Sequence, residues 1–171
     1  MRKALGAAAI LLACFSAALL RLRGMRKRIA VINGLEESLF LLRREIADRH
    51  KTLWEIFSEF SLKNENETLR AFYSALGQGM NCLGEKEFSA IWRNAVFAVF
   101  LPEDETVCAA IASLGDSLGG SELDIQLSAI AGAARALEEL ARAEKEKLPG
   151  ERRMKIGLSL CLGAFAVIML M

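Results

Sequence analysis

Two uncharged apolar runs, one at each end, constrain what this chain can fold into more than any other feature. Ala4 to Leu20 gives 17 residues without a charge, and Ile156 to Met171 gives 16. At about 1.5 Å of rise per residue, each run covers roughly 25 Å as a helix, slightly short of a ~30 Å hydrocarbon core. Basic residues flank both runs. Arg2 and Lys3 precede the first; Arg21, Arg23, Arg26, Lys27 and Arg28 follow it; Arg152, Arg153 and Lys155 precede the second. Such side chains reach back to the interface along their aliphatic stems, which makes up the missing length. The runs therefore read as transmembrane helices over 4–20 and 154–171. Between them lie a basic juxtamembrane segment at 21–28 and a central domain at 29–151. Small residues (Gly6, Ala7, Ala8, Gly157 and Gly163) allow close helix approach in lipid, as they do in any membrane helix.

Three other readings of the ends stand beside this one. A cleaved signal peptide fits the basic start, but the run ends in arginine with no A-x-A-like site. Leu11-Leu12-Ala13-Cys14 looks like a lipobox, although leucine sits poorly before the small residue and six uncharged residues follow the cysteine. The C-terminal run also suits a buried helix of a soluble domain. Two anchors account best for the flanking charges.

The net charge of +1 conceals a strong segregation. Residues 29–151 hold 21 acidic and 12 basic residues, a surplus of nine negative charges, and no acidic residue lies elsewhere. Nucleic-acid binding, which needs a basic face on the domain, is excluded by this layout. Positively charged flanks mark the cytoplasmic side, so the central domain is expected in the cytoplasm, with both termini across the membrane. Cys14, Cys82, Cys108 and Cys161 show no C-x-x-C spacing, which argues against a disulfide framework or a zinc site.

Within 29–151 the apolar spacing predicts an all-α antiparallel bundle of about six helices. Leu35, Leu39, Leu42 and Ile46 form one stripe, opposite Glu36, Glu37, Arg43, Arg44 and Asp48. After a break at 50–52, Trp54, Phe57 and Phe60 begin a second helix. Leu69, Phe72, Tyr73 and Leu76 mark a third, stopped by Gly77 and Gly79 or by Gly84. A fourth turns Phe88, Ile91, Trp92, Ala95, Val96 and Val99 inward. Pro102 with Glu103, Asp104 and Glu105 starts a fifth, running through Val107, Ile111 and Leu114 to Gly119-Gly120. Ser121 looks like the cap of the sixth, whose inward face is Leu123, Leu127, Ile130, Ala134 and Leu137, and Pro149-Gly150 is expected to break it.

Little here suggests catalysis. The single histidine, His50, lies in a charged stretch, and the acidic trio at 103–105 reads as helix capping rather than a metal site. The glycines of 115–120 lack the lysine and hydroxyl of a phosphate loop. Trp54 and Trp92 fall at apolar helix positions and read as core. Transport would want polar groups within the spanning runs, where Ser16 and Ser159 are the main ones. We therefore expect a non-enzymatic protein with no cofactor, no metal and no small-molecule substrate. The corner Leu114 to Ser121 reads as a tight junction between helices, with partner binding as the sharper possibility.

These residues also carry a likeness. Leu42-Arg43-Arg44-Glu45-Ile46 resembles the Leu-x-x-Glu-Ile helix motif of the stage III sporulation protein AB family of spore-forming Firmicutes. Thr52-Leu53 stands where that family has Thr-Pro-Leu, without the proline, and Trp92 matches a tryptophan of its middle helices. Leu118-Gly119-Gly120-Ser121-Glu122-Leu123-Asp124-Ile125-Gln126 is similar to its Leu-Gly-x-Ser-Asp-x-x-x-Gln, with Glu122 for aspartate. Met154-Lys155 before the final apolar helix fits as well. The resemblance implies a scaffold of the mother cell–forespore channel complex, and it marks Leu118, Gly119, Ser121, Glu122 and Gln126 as motif residues at the corner where partner binding is the sharper reading. It implies other stage III proteins as partners, a secretion-type ATPase among them, and a domain similar to type II secretion platform domains. A platform subunit of a general secretion or pilus system is the alternative.

Overall fold

The computed structural model describes the backbone of residues 2–49, 51–102, 104–120 and 122–170, and the side chains at 16, 20, 23–48, 51–102, 104–120 and 122–146. Seven helices follow one another among the described residues: α1 (Arg2–Arg49), α2 (Leu53–Lys63), α3 (Glu67–Met80), α4 (Phe88–Phe100), α5 (Glu105–Ala112), α6 (Leu114–Leu118) and α7 (Leu123–Leu170). They form two compact units. One comprises Met1–Ile29 with Arg142–Met171, and the other Ala30–Ala141. The second unit begins one residue after the expected domain start and ends ten residues before its expected end.

In the first unit, Arg28 donates from Nη1 to Oε1 of Glu144 at 2.8 Å, joining α1 to α7. The carboxylate is buried and the guanidinium half-exposed, so the pair is partly withdrawn from water. The apolar runs at 4–20 and 154–171 lie in these helices, but apart from Ser16 and Leu20 their side chains fall outside the described residues. Among the described residues, no helix is long and apolar enough to cross a membrane. The segment 21–28 continues α1 without a break. Pro149-Gly150, expected to end the last helix, does not: α7 runs through it. A proline removes one backbone donor and presses on the preceding turn, and here helical turns continue on both sides of it.

The second unit is built around one apolar core. Ile32, Leu35, Leu39, Leu42 and Ile46 of α1 are all buried, as the stripe predicts. Thr52 caps α2: its hydroxyl accepts from the backbone of Glu55, and the Glu55 carboxylate accepts from the Thr52 backbone. Ile56 and Phe57 are buried, whereas Trp54 is 52% exposed, contrary to the core position expected for it. The inward face of α2 is Leu53, Ile56, Phe57 and Phe60, which keeps Phe57 and Phe60 of the expected spacing and replaces Trp54 by its neighbour Leu53. Asn66 caps α3, which runs past Gly77 and Gly79 to Met80. The chain turns instead at Gly84, whose φ of 111° only glycine adopts freely.

α4 turns Phe88, Ile91, Trp92, Ala95, Val96 and Phe100 into the core, with Val99 only half-buried. Phe57, Phe72, Tyr73, Phe88 and Trp92 form one aromatic cluster, for example Phe72 edge-on to Trp92 at 5.4 Å between centroids. Burial pushes the Tyr73 phenol well above its usual range, against the pull of a hydrogen bond with Ser38 on α1. The expected fifth helix is two. Asp104, not Pro102, starts α5 by accepting from the backbones of Thr106 and Val107, and the helix turns at Ser113 into α6. In α7 the buried face is Ile130, Ala133, Leu137 and Ala141. Leu127 and Ala134 pack at its edge and Leu123 is exposed.

Candidate partner-binding corner

The junction of α4, α5 and α6 is held by two glycines and a tryptophan. A β-carbon at Gly115 would lie 2.6 Å from Cβ and Cγ of Trp92, and one at Gly119 would lie 3.1 Å from Cβ of Phe88. Position 115 thus meets 92 and position 119 meets 88, so α6 runs antiparallel to α4 with its glycines against the α4 side chains. Trp92 is 1% exposed and its indole N–H donates to the carbonyl of Ile111 at 2.8 Å, which ties the end of α5 to the ring edge. On the outer side, Arg93 bridges to Asp116 at 3.0 Å.

This geometry gives structural roles to three residues of the Leu118 to Gln126 motif: Leu118, Gly119 and Gln126. Leu118 is buried in the core. Gly119 is the C-cap of α6, where a β-carbon would press closely on Phe88, whereas Gly120 has open space around it. Gln126 donates from Nε2 toward the Leu118 carbonyl at 3.5 Å, meeting an acceptor left over at the end of α6. Glu122 is exposed, and Ser121 lies outside the described residues. Trp92 belongs to this corner.

The helix motif serves a different junction. Leu42 and Ile46 are core residues, and Glu45 between them is buried. Its carboxylate meets the ammonium of Lys51 at 3.2 Å, and Lys51 also contacts Glu59 of α2 at 2.9 Å. Lys51 is held charged above its ordinary range, by Glu59 first and Glu45 second. Glu59 is drawn down to about 2 by Lys63 and then Lys51. The motif's glutamate therefore latches the end of α1 to α2. Sequence spacing alone did not show this, because Lys51 lies beyond the helix that carries Glu45.

Of the flanking charges, Arg23, Arg26 and Lys27 are exposed and Arg28 is paired with Glu144. The side chains of Arg21, Arg152, Arg153 and Lys155 lie outside the described residues, as does His50. Cys82 is exposed and Cys108 is buried; both are free thiols, and burial, then Glu105, pushes that of Cys108 upward.

The model of one family, described as stage III sporulation protein AB, matches residues 3–171. The chain belongs to that family. No curated protein and no solved structure matches it. The stage III sporulation protein AB match spans both motifs, so the Glu45 latch and the Gly115–Trp92 corner lie within the family's span. The sequence placed Gly115 in a tight helix junction at 114–121, and what it did not disclose is that Trp92 is the side chain Gly115 packs on. Gly115 falls outside the quoted motif, yet makes the closest approach to Trp92.

Proposed function

We propose that this stage III sporulation protein is a membrane-anchored, non-enzymatic scaffold of the mother cell–forespore channel complex. Helices at 4–20 and 154–171 fix it in the membrane, and the helical unit faces the cytoplasm on the mother-cell side. There it couples a secretion-type ATPase to the membrane complex. The observation that carries the reading is the family match over 3–171, which includes both apolar runs and the all-helical unit between them. The charge layout supports the orientation, with eight basic residues on the domain side of the two runs and two on the far side of the first.

Cys82 tests the topology. It is exposed in the turn after α3, while Cys108 is buried. With Cys14 and Cys161 replaced by serine, a membrane-impermeant maleimide should leave intact protoplasts unlabelled and modify Cys82 once the membrane is opened. The protein should also stay in the membrane fraction through an alkaline wash. Labelling of intact protoplasts, or release by the wash, would contradict the proposal.

A further inference from the structure

Because α7 continues through Pro149-Gly150, residues 142–151 leave the acidic domain that the sequence assigns them to and join the unit of Met1–Ile29 with Arg142–Met171. That unit holds 13 basic and three acidic residues, whereas Ala30–Ala141 holds nine basic and 18 acidic. Arg28 and Glu144, in contact at 2.8 Å, set the register of its two helices. α1 leaves the unit after residue 29 and α7 enters it at residue 142, so the two run antiparallel there and Lys145 lies level with Lys27. At about 1.5 Å of rise per residue, Arg23, Arg26 and Lys27 stand roughly 5–10 Å beyond Leu20, where the uncharged run ends, and Lys145 and Arg142 roughly 10–15 Å beyond it. Helical spacing decides which way these side chains face. Positions 23, 26 and 27 share one face of α1, and all three residues are exposed, while Arg28 turns away from them to Glu144. Arg142 and Lys145 share an exposed face of α7, away from the buried Glu144. Glu146 is the one exposed acid among the described residues of these two stretches. Five cations therefore point outward from both helices and do not converge on one pocket.

We infer that these residues form a cationic collar that binds the headgroups of anionic phospholipids around the helix pair. Outward charges on both helices fit a sheet of headgroups, which meets the pair on every side. A single phosphate needs donors that converge on it, and an acidic protein surface, a second copy's acidic unit included, covers one side only. The polar layer of a bilayer leaflet and a Debye length of about 10 Å together bring all five cations within reach of the lipid charge. Each lysine or arginine so placed adds to the attraction. The inference rests on the membrane-anchored reading and names the lipid class that the anchored chain selects.

The test places the full chain in phosphatidylcholine bilayers and reads, by electron spin resonance, how strongly spin-labelled phosphatidylglycerol and phosphatidylcholine associate with it. Phosphatidylglycerol should associate about threefold more strongly at low salt, and the preference should vanish at about 1 M salt. Arg23→Gln/Arg26→Gln/Lys27→Gln should bring the ratio below about 1.5, and Arg142→Gln/Lys145→Gln should lower it by a smaller step. Arg43→Gln/Arg44→Gln, exposed on α1 in the other unit, should leave it unchanged. Arg23→Lys/Arg26→Lys should keep the preference, because a headgroup sheet reads charge and not the guanidinium fork. All the changed side chains are exposed, so thermal melting should match the parent. No preference in the parent, a preference that survives both collar variants, or equal loss in the Arg43/Arg44 variant would overturn the collar and leave the anchors standing. Loss of the preference in phosphate but not in chloride of equal ionic strength would make this a site for free phosphate. Self-association in phosphatidylcholine that the collar variants abolish would make the occupant a second copy. Either result overturns the inference. Release of the protein by an alkaline wash would sink the anchors instead, and flotation of the purified chain with phosphatidylglycerol against phosphatidylcholine vesicles then decides the collar by itself.

Discussion

At position 115 a hydrogen atom stands where any other residue would place carbon against the Trp92 ring. Gly115→Val should therefore cost about 1–3 kcal/mol, the usual range for overpacking a filled core. Gly120→Ala, with open space around it, should stay within about 0.5 kcal/mol. Denaturant titration of the two variants checks the contrast, and equal effects would disprove the close approach. Trp92→Ala should cost about 3–5 kcal/mol, since it empties the centre of the aromatic cluster and leaves the Ile111 carbonyl without its donor. The sequence named Trp92 from its inward helix position and Gly119 from the glycine stop, and a family motif carried both. It placed Trp54 inside wrongly, because a three-residue spacing at the start of a helix fits two neighbouring phases equally well.

Among the helices, the α1–α2 junction has a testable dependence on pH. The Glu59 carboxyl sits at about 2 in the folded chain against an ordinary 4.5. A depressed value means the folded state favours the charged form, so its contribution is present above about 4.5 and disappears as pH falls toward 2. Glu59→Gln should be less stable than the parent at about pH 6, and the gap should close as pH falls below about 4.5. The group is solvent-exposed, so added salt should also shrink the gap. A gap constant across that range would mean the ion pairs contribute nothing. Thr52→Ala should cost about 1 kcal/mol through loss of the cap. Helix order and most inward faces were legible, because Leu35 to Ile46 and Leu69 to Leu76 each keep a clean 3.6-residue stripe. The break at Ser113 was not: Val107, Ile111 and Leu114 keep helical spacing across it, while the chain turns there into the helix that packs Gly115 on Trp92. Nor was the continuity of α7, since Pro149-Gly150 is an ordinary helix stop on local grounds.

For the whole molecule, the central claim is that the helical unit works only when helices at both ends hold it to the membrane. An in-frame deletion, complemented in turn by the intact gene and by a fragment of residues 29–151, tests this most directly, with heat-resistant spores and the stage of arrest as readouts. The account predicts arrest after engulfment in the deletion strain, full rescue by the intact chain, and none by the fragment even when it accumulates as a folded, helical protein. Normal sporulation without the gene, or rescue by the unanchored fragment, would contradict it.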